Sequence, residues 1–220
     1  TAQNFLREFG DFFAEFLEPA IHTLLYYRGV YPAEMFERRR KYNVPVRQSR
    51  HKDLNNYIAG AIEGVKVWME KGVLEKVVLS IEEQNTGRCI ERFVWEVDLD
   101  LAHGGPRDSG PCAQVQTEAG NVSELEDAMR QMLLKISVVD SMLPPQPRKD
   151  LTFNVYLHTS ENRYSVADDW EVVDERQQQR AADPPSIVPI KSVRVGRPGH
   201  VAAPSRDACS AVVQLYARAG

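Results

Sequence analysis

The sequence predicts an α+β fold in which helices pack on a mainly antiparallel β-sheet. Helical periodicity marks three segments, and strand-type alternation of apolar residues lies between and after them. The 220 residues are 43% hydrophobic and 26% charged, which is enough apolar material to bury one core. This composition excludes a wholly disordered chain, a collagen and a small disulfide-stapled protein, and we expect a single domain over residues 1–220.

The first helix is predicted from an apolar stripe at steps of three and four residues. Pro19 lies inside the stripe and is expected to kink or restart the helix, while Gly29 and Pro32 end it. The stripe consists of Phe5, Phe9, Phe12, Phe13, Phe16, Leu17, Ala20, Ile21, Leu24 and Leu25.

Two further helices follow the same reasoning. One is predicted over residues 52–71 and ends near Gly72, with an apolar face of Leu54, Tyr57, Ile58, Ala61, Ile62, Val65 and Met69. For Tyr57 the sequence leaves two interpretations open, burial with this face or a place at the rim of a groove. Another helix opens at Ser123 and Glu126, whose spacing is that of a capping box.

Strands are predicted from alternating apolar residues. Segments 75–83 and 90–99 form a hairpin around the turn Asn85-Thr86-Gly87, and segment 151–158 alternates in the same way. Later strands are expected at 170–173, 187–195 and 211–217, where Val213 and Leu215 face one way and Gln214 and Tyr216 the other. Residues 100–121 and 196–207, rich in Gly and Pro, are expected to be loops.

Catalytic and metal-binding patterns are sparse. The five histidines never form a His-x-x-x-His pair, and the three cysteines never form a Cys-x-x-Cys pair. We therefore expect no metal site, no cofactor and no enzyme activity. A hydrolase using Cys112 or His103 in the long loop is a weaker alternative, because neither residue has a base or an orienting group close in sequence.

Charge gives one sharp local feature. The 27 basic and 31 acidic residues leave a net charge of −4, so nucleic acid is not held through net charge, although a local basic patch remains open. The run Arg38-Arg39-Arg40-Lys41 is consistent with a nuclear-import signal, a phosphate-binding patch or a solvated turn. As a phosphate-binding patch it would give a weak, salt-sensitive contact without sequence specificity.

Six short sequence segments, in order along the chain, resemble the HORMA-domain family, and most of all its accessory subunits of DNA polymerase zeta. The resemblance runs from about Phe12 to Tyr216. The segments are Lys41-Tyr42-Asn43-Val44-Pro45-Val46, Leu54-Asn55-x-Tyr57-Ile58, Glu75-Lys76-Val77-Val78, Leu134-Lys135-Ile136-Ser137-Val138, Pro189-Ile190-Lys191 and Gln214-Leu215-Tyr216.

The resemblance implies a non-catalytic adaptor with three helices packed on a β-sheet. In this family a C-terminal segment, the safety belt, wraps around an extended partner peptide that adds to a sheet edge. The implied core is residues 1–159 and the implied belt is residues 160–220. A closed belt slows the escape of the peptide, so its main benefit is a low off-rate.

The resemblance also implies three surfaces. Tyr57 and Trp170 match positions that line the pocket for a proline-containing segment of the catalytic subunit of DNA polymerase zeta. Ile187, Gln214 and Tyr216 match positions that contact the C-terminal domain of a Y-family deoxycytidyl transferase. Arg130 matches a position used when HORMA proteins pair with themselves or with relatives.

These matches imply a nuclear adaptor of translesion synthesis, with the cytoplasm as a second compartment, and neither a membrane nor sequence-specific nucleic acid as a partner. The alternative within the family is a mitotic checkpoint protein that clamps an activator of the anaphase-promoting complex.

Overall fold

The computed structural model describes residues 2–100, 118–119, 122–145, 150–160, 186–196 and 210–219. Within these residues the chain forms three α-helices and eight strands. The helices are α1 (Ala2–Tyr27), α2 (Lys52–Glu70) and α3 (Val122–Ser137). The strands are β1 (Phe36–Lys41), β2 (Val44–Ser49), β3 (Leu74–Glu83), β4 (Cys89–Asp100), β5 (Glu118–Ala119), β6 (Leu151–Thr159), β7 (Ser186–Gly196) and β8 (Ser210–Ala219).

Helix α1 is the centre of the core. The rings of Phe5, Phe9, Phe13 and Phe16 stack in sequence along it at centroid distances of 5.8 to 6.4 Å. Of the two outcomes expected at Pro19, the restart was wrong, since α1 continues through this residue as one element; the kink stays a prediction. Gly29, with φ of 63°, lies just beyond the helix end in the left-handed conformation that favours glycine.

Six strands form one sheet in the order β5-β7-β8-β4-β3-β6. The pairs are antiparallel except for β5 with β7, a short parallel pair. Strand β5 lies in the segment 100–121, which was expected to be a loop. Alternate residues of the central strands are buried in the core cluster that includes α1, α2 and α3: Val77, Leu79, Ile81, Phe93, Trp95, Val97, Val213, Leu215 and Ala217. The predicted α+β architecture is therefore confirmed, and with it the orientation of Val213 and Leu215.

The basic run, by contrast, is not a turn. Residues Phe36–Lys41 form β1, which pairs antiparallel with β2 in a separate two-stranded sheet. Tyr42 and Asn43 make the connection, both with positive φ, as a two-residue hairpin turn requires. The phrase Tyr42-Asn43-Val44 thus contains a hairpin signal that the sequence reasoning missed.

Two other boundaries differ from expectation. Helix α3 begins at Val122, so Ser123 lies within the first turn rather than ahead of it as a cap. The strand predicted at 170–173 and the loop residues Cys112 and His103 lie outside the described residues. The division between residues 159 and 160 stays a prediction. No helix among the described residues is long and apolar enough to cross a bilayer.

A buried ion network joins the end of α1 to β4 and to the chain after α3. Arg28 Nε lies 2.8 Å from Glu91 Oε2, and both side chains are completely buried. The other two guanidinium nitrogens bond to Asp140 Oδ1 and to the carbonyl of Pro144, each at 2.8 Å. One arginine therefore holds three separate parts of the chain together.

Replacing Glu91 by alanine is expected to lower the free energy of unfolding by about 3 kcal/mol, because Arg28 would keep its buried charge without its buried partner. Urea unfolding monitored by circular dichroism measures the change. Glu83→Ala is the matched control, since Glu83 pairs with Arg88 at the surface, and its cost is expected to stay below about 1 kcal/mol. Equal costs for the two variants would contradict the role of the buried network.

His22 introduces a pH dependence into the same core. Its side chain is fully buried on α1, with Nε2 3.1 Å from Gln48 Nε2. Burial lowers the pKa of His22 from 6.5 to about 4. The folded protein thus holds this imidazole neutral at pH values where the unfolded chain protonates it.

Because the folded pKa lies below the unfolded value, the contribution of His22 is complete above pH 6.5 and decreases as the pH falls towards 4. The loss at pH 4 is expected to reach about 3 kcal/mol. Urea unfolding at pH 7, 6, 5 and 4 measures it, with His22→Gln as the reference that lacks the titrating group. A parallel pH dependence in the two proteins would show that other groups are responsible.

Candidate peptide-binding edge

Strand β6 is the edge of the large sheet. It pairs with β3 on one side and, among the described residues, with no strand on the other. At the two ends of β6, the amide of Ser160 donates to Val73 O and the carbonyl of Asp150 accepts from the amide of Gln84. The backbone groups of the even-numbered residues of β6 are therefore directed toward β3. Since direction alternates along a strand, the backbone groups of Phe153, Val155 and Leu157 are directed away from β3.

Tyr57 stands beside this edge. It lies on α2, whose buried face is Leu54, Ile58, Ala61, Ile62, Val65 and Met69, but Tyr57 itself is 46% exposed. Its ring meets the ring of Phe153 edge-on at 5.4 Å, and its hydroxyl accepts a long hydrogen bond from the amide of Val155 at 3.4 Å. Of the two interpretations of Tyr57, the structure therefore supports the groove.

An open cavity of about 480 Å³ lies between α2, the end of α1 and β6. Its wall is mainly aromatic and apolar, with His51, Asp53 and Asn154 as the polar residues; the remaining lining residues are Tyr31, Met35, Leu54, Tyr57 and Phe153. Burial, and to a smaller degree the neighbouring Tyr57, raise the pKa of Tyr31, so this phenol stays protonated. The cavity suits an apolar side chain or a proline ring near a few polar groups.

The backbone around the cavity is held by local bonds. His51 precedes α2 and its Nδ1 accepts from the amide of Leu54 at 3.4 Å, which caps the helix. Asn55 donates from its side chain to the carbonyl of Ser49 at 3.0 Å. These contacts fix the N-terminal turn of α2, and thereby Tyr57, against the end of β2.

Side chains of β6 also form hydrogen bonds with the neighbouring strand β3. Glu82 on β3 accepts from Asn154 at 2.8 Å and from the Tyr156 hydroxyl at 3.1 Å. Burial, and then the Glu82 carboxylate, raise the pKa of Tyr156 to about 12. These bonds tie β6 to β3 through side chains as well as backbone, so the edge strand is firmly held.

The second expected surface lies at the other end of the sheet. The register of β8 pairs Tyr216 with Val94 and Pro189, and Gln214 with Glu96 and Ser192. Ile187 pairs with Arg218. The three expected residues therefore occupy one face of the β7–β8 hairpin, at positions that alternate with the buried Val213 and Leu215.

The remaining expected sites are placed only in part. Arg130 is exposed on α3, with Nη1 3.5 Å from Asp127 Oδ1. Trp170 lies outside the described residues, so its place beside Tyr57 stays a prediction. No group of three or more His, Cys, Asp or Glu side chains within the described part of the chain is arranged to hold a metal ion.

Sequence reasoning missed the residues that accompany Tyr57. Phe153 and Val155 were recognised as strand residues, but nothing in the alternation showed that β6 is an edge. Tyr31 follows the end of α1 and reaches the same cavity, with its ring 6.1 Å from that of Phe153. An edge is a property of the pairing of distant strands, and a local pattern carries no such information.

Comparisons with known proteins agree with this geometry. The HORMA domain family matches residues 11–197. The mitotic spindle assembly checkpoint protein MAD2B of Danio rerio is 36% identical over 198 residues, covering 86% of this chain and 87% of the relative. The DNA polymerase zeta processivity subunit of Arabidopsis thaliana is 33% identical over 190 residues, covering 84% of this chain and 80% of the relative.

Solved structures give the same fold. The structure of C. elegans HTP-2 bound to the HIM-3 closure motif superposes with a TM-score of 0.70 at 15% identity, covering 97% of this chain and 91% of that one. The family match spans most of the chain, and two relatives exceed 30% identity over most of its length. This chain therefore belongs to the HORMA-domain family.

Proposed function

We propose that this chain is a non-catalytic adaptor that captures an extended peptide along the outer edge of β6. The observation that carries the proposal is the outward-directed backbone of Phe153, Val155 and Leu157 beside the exposed ring of Tyr57. The HTP-2 structure, which by its title holds a closure motif, supports peptide capture within the same fold.

Strand addition explains how such an edge recognises a peptide. The peptide supplies carbonyls and amides to the outward-directed backbone groups of β6, and each hydrogen bond contributes about 0.5–1.5 kcal/mol net. Every second side chain then points to the helix side of the edge, where the cavity beside Tyr57 receives it. The hydroxyl of Tyr57 has to release the Val155 amide wherever a peptide carbonyl takes that position.

The connection after β6 supports a belt. The chain leaves β6 at Thr159 and re-enters the sheet at Ser186 in β7, four strands away. At about 4.8 Å per strand this is a displacement of about 19 Å. The connecting segment has to leave from the edge where the peptide would bind, which suits a segment that closes over it.

The proposed partner is a proline-containing segment of the catalytic subunit of DNA polymerase zeta. The similarity to the Arabidopsis polymerase zeta processivity subunit supports this choice. We propose that Tyr57 and Trp170 hold the segment, that Ile187, Gln214 and Tyr216 bind a Y-family deoxycytidyl transferase, and that Arg130 serves pairing with HORMA proteins. The proposed place of action is the nucleus, with the cytoplasm as a second compartment.

A second candidate is capture of an activator of the anaphase-promoting complex. The similarity to a protein named for the mitotic spindle assembly checkpoint favours it. Both candidates use the same edge, so they differ in the peptide rather than in the mechanism. A competition assay distinguishes the two candidates. Each unlabelled peptide is titrated against one bound fluorescent tracer, and the true partner is expected to displace the tracer at a much lower concentration than the other peptide.

Truncating Tyr57 to alanine is expected to weaken peptide binding by thirtyfold or more, about 2 kcal/mol, because the aromatic wall of the cavity is lost. Isothermal titration with the polymerase zeta peptide measures the effect, and Trp170→Ala is expected to behave in the same way. Tyr57→Phe keeps the ring and is expected to bind within a fewfold of the unchanged protein.

Val67→Ala is the matched control for these variants, since Val67 is also an exposed residue of α2. Hydrogen exchange supplies a second measurement: the peptide should protect the amides of Phe153, Val155 and Leu157. A peptide that binds with full affinity to Tyr57→Ala, or that leaves these amides unprotected, would place the binding site elsewhere.

Tyr216→Ala is expected to weaken binding of the deoxycytidyl transferase domain by at least tenfold and to leave peptide binding unchanged. The reason is that β8 and β6 are separated by β4 and β3 in the sheet. Surface plasmon resonance with each partner measures the two affinities separately. If both partners are lost together, the variant has disrupted the β7–β8 hairpin, and Gln214→Ala then serves as the milder test.

A further inference from the structure

The outer face of the β1–β2 hairpin carries three arginines. Arg38 is directly opposite Arg47 in the register, and Arg40 lies two residues further along β1, opposite Pro45. Residues that pair directly share a face, and so do residues two apart on one strand. Arg38 and Arg40 are exposed and Arg47 is half-buried. The geometry of a strand pair places the Cβ atoms of these three residues within about 8 Å of one another.

The neighbouring charges on the hairpin are compensated by acidic partners. Lys41 pairs with Glu15, and both Arg39 and Arg50 pair with Glu37. Among the described residues, Arg38, Arg40 and Arg47 form no ion pair. Like charges placed directly opposite each other destabilise a strand pair. The face is therefore built at some cost to stability, and an anionic ligand would relieve that cost.

Arg47 is positioned for such a ligand. Its guanidinium lies 4.1 Å from the centroid of the Tyr26 ring, in a cation–π contact. Stacking on an aromatic face leaves the in-plane N–H groups of an arginine available for the oxygens of a phosphate. Arg47 thus provides a held donor group, while Arg38 and Arg40 add charge and donors beside it.

The hairpin argues against an import signal in this run. The backbone of β1 is paired with β2 over its whole length, from Phe36 opposite Ser49 to Lys41 opposite Val44. Val44 and Val46 on β2 are buried in the main core. An extended import peptide would have to detach from this ladder, so the basic run is more suited to act as a folded surface.

The face also lacks what a protein partner usually needs. Protein interfaces are centred on exposed apolar or aromatic anchors, and the apolar residues of β2 here are directed inward. Pro45 is the exposed apolar residue of the face. An arginine cluster without an apolar centre suits a polyanion that is bound by phosphate contacts and counterion release.

We propose that the face formed by Arg38, Arg40 and Arg47 binds the phosphate backbone of nucleic acid without sequence specificity. Because the whole chain has a net charge of −4, attraction to nucleic acid is expected from this face and not from the overall charge. Three cations give weak, salt-dependent binding. The proposal is independent of peptide capture, because the hairpin belongs to a separate sheet from β6.

The test uses the full chain and fluorescence anisotropy with a labelled 20-nucleotide single strand and its duplex, between 25 and 150 mM salt. The variant Arg38→Gln/Arg40→Gln leaves the Arg47–Tyr26 contact in place. We expect at least a tenfold loss of affinity at low salt. The slope of log K against log salt should become shallower by about 1.8 for the duplex and about 1.4 for the single strand.

Two further variants separate local from general charge effects. Arg7→Gln/Lys135→Gln removes the same charge from exposed positions on α1 and α3 and should bind like the unchanged protein. Arg38→Lys/Arg40→Lys keeps the charge and should restore binding to within a fewfold. Circular dichroism melting of each variant confirms that it is folded.

Three results would overturn the proposal. The first is equal loss of affinity in the two glutamine variants, which would indicate net charge alone. The second is an unchanged salt slope in Arg38→Gln/Arg40→Gln. The third is binding of a polyglutamate peptide that is at least as tight as binding of DNA and equally sensitive to this variant, which would identify the ligand as an acidic protein segment.

Discussion

The antiparallel ladder between β4 and β8 determines which edges of the large sheet are left for a partner. It runs through ten residue pairs, from Glu91 opposite Ala219 to Asp100 opposite Ser210. Because β8 joins β4, and β7 follows β8, the C-terminal hairpin extends the sheet on the side away from β6. Strand β6 is consequently an edge within the described structure. Had the hairpin joined β6 instead, the backbone groups of Val155 and its neighbours would already be paired and a peptide could not be added.

The three helices stabilise this strand order by packing on one face of the sheet. The buried rows of β3, β4 and β8 pack against a core dominated by α1. Arg28 ties the end of that helix to Glu91, close to the start of the β4–β8 ladder. On the opposite face the register aligns Tyr156, Val78, Val94, Tyr216 and Pro189 in one row across five strands. The core thus fixes the sheet. Two members of this row, Val78 and Val94, are themselves buried in a second small cluster with Tyr156, so among the described residues the outer edge of β6, rather than the middle of this face, is available for contacts.

Local patterns in the sequence predicted the helices, the β3–β4 hairpin and the alternation of β8, because each of these depends on residues that are close in the sequence. They could not show that β6 is an edge, because this depends on where residues 210–219 pair. The sequence left the burial of Tyr57 open for a related reason. Tyr57 has the same helical spacing as the buried Leu54 and Ile58, and its exposure depends on the cavity beside it, which distant segments form. The β1–β2 hairpin was missed because four consecutive basic residues hid an alternation that the burial of Val44 and Val46 reveals on the partner strand. The assignment of Ile187, Gln214 and Tyr216 rested on family resemblance, and the register adds only that one face of one hairpin carries them.

Separate surfaces on a single core are what an adaptor requires. Strand β8, with Gln214 and Tyr216, lies three strands from β6, a distance of about 14 Å, so the proposed peptide and the proposed folded domain would not compete for space. The arginine face is on a third element, whose inward valines join the same core. Peptide binding at β6 would therefore leave the other two surfaces geometrically free. Any coupling between them would have to pass through the packed core or through the segment that links β6 to β7. Since residues 160–185 link β6 to β7 in the sequence, they connect the proposed peptide edge directly to the hairpin that carries Ile187, Gln214 and Tyr216.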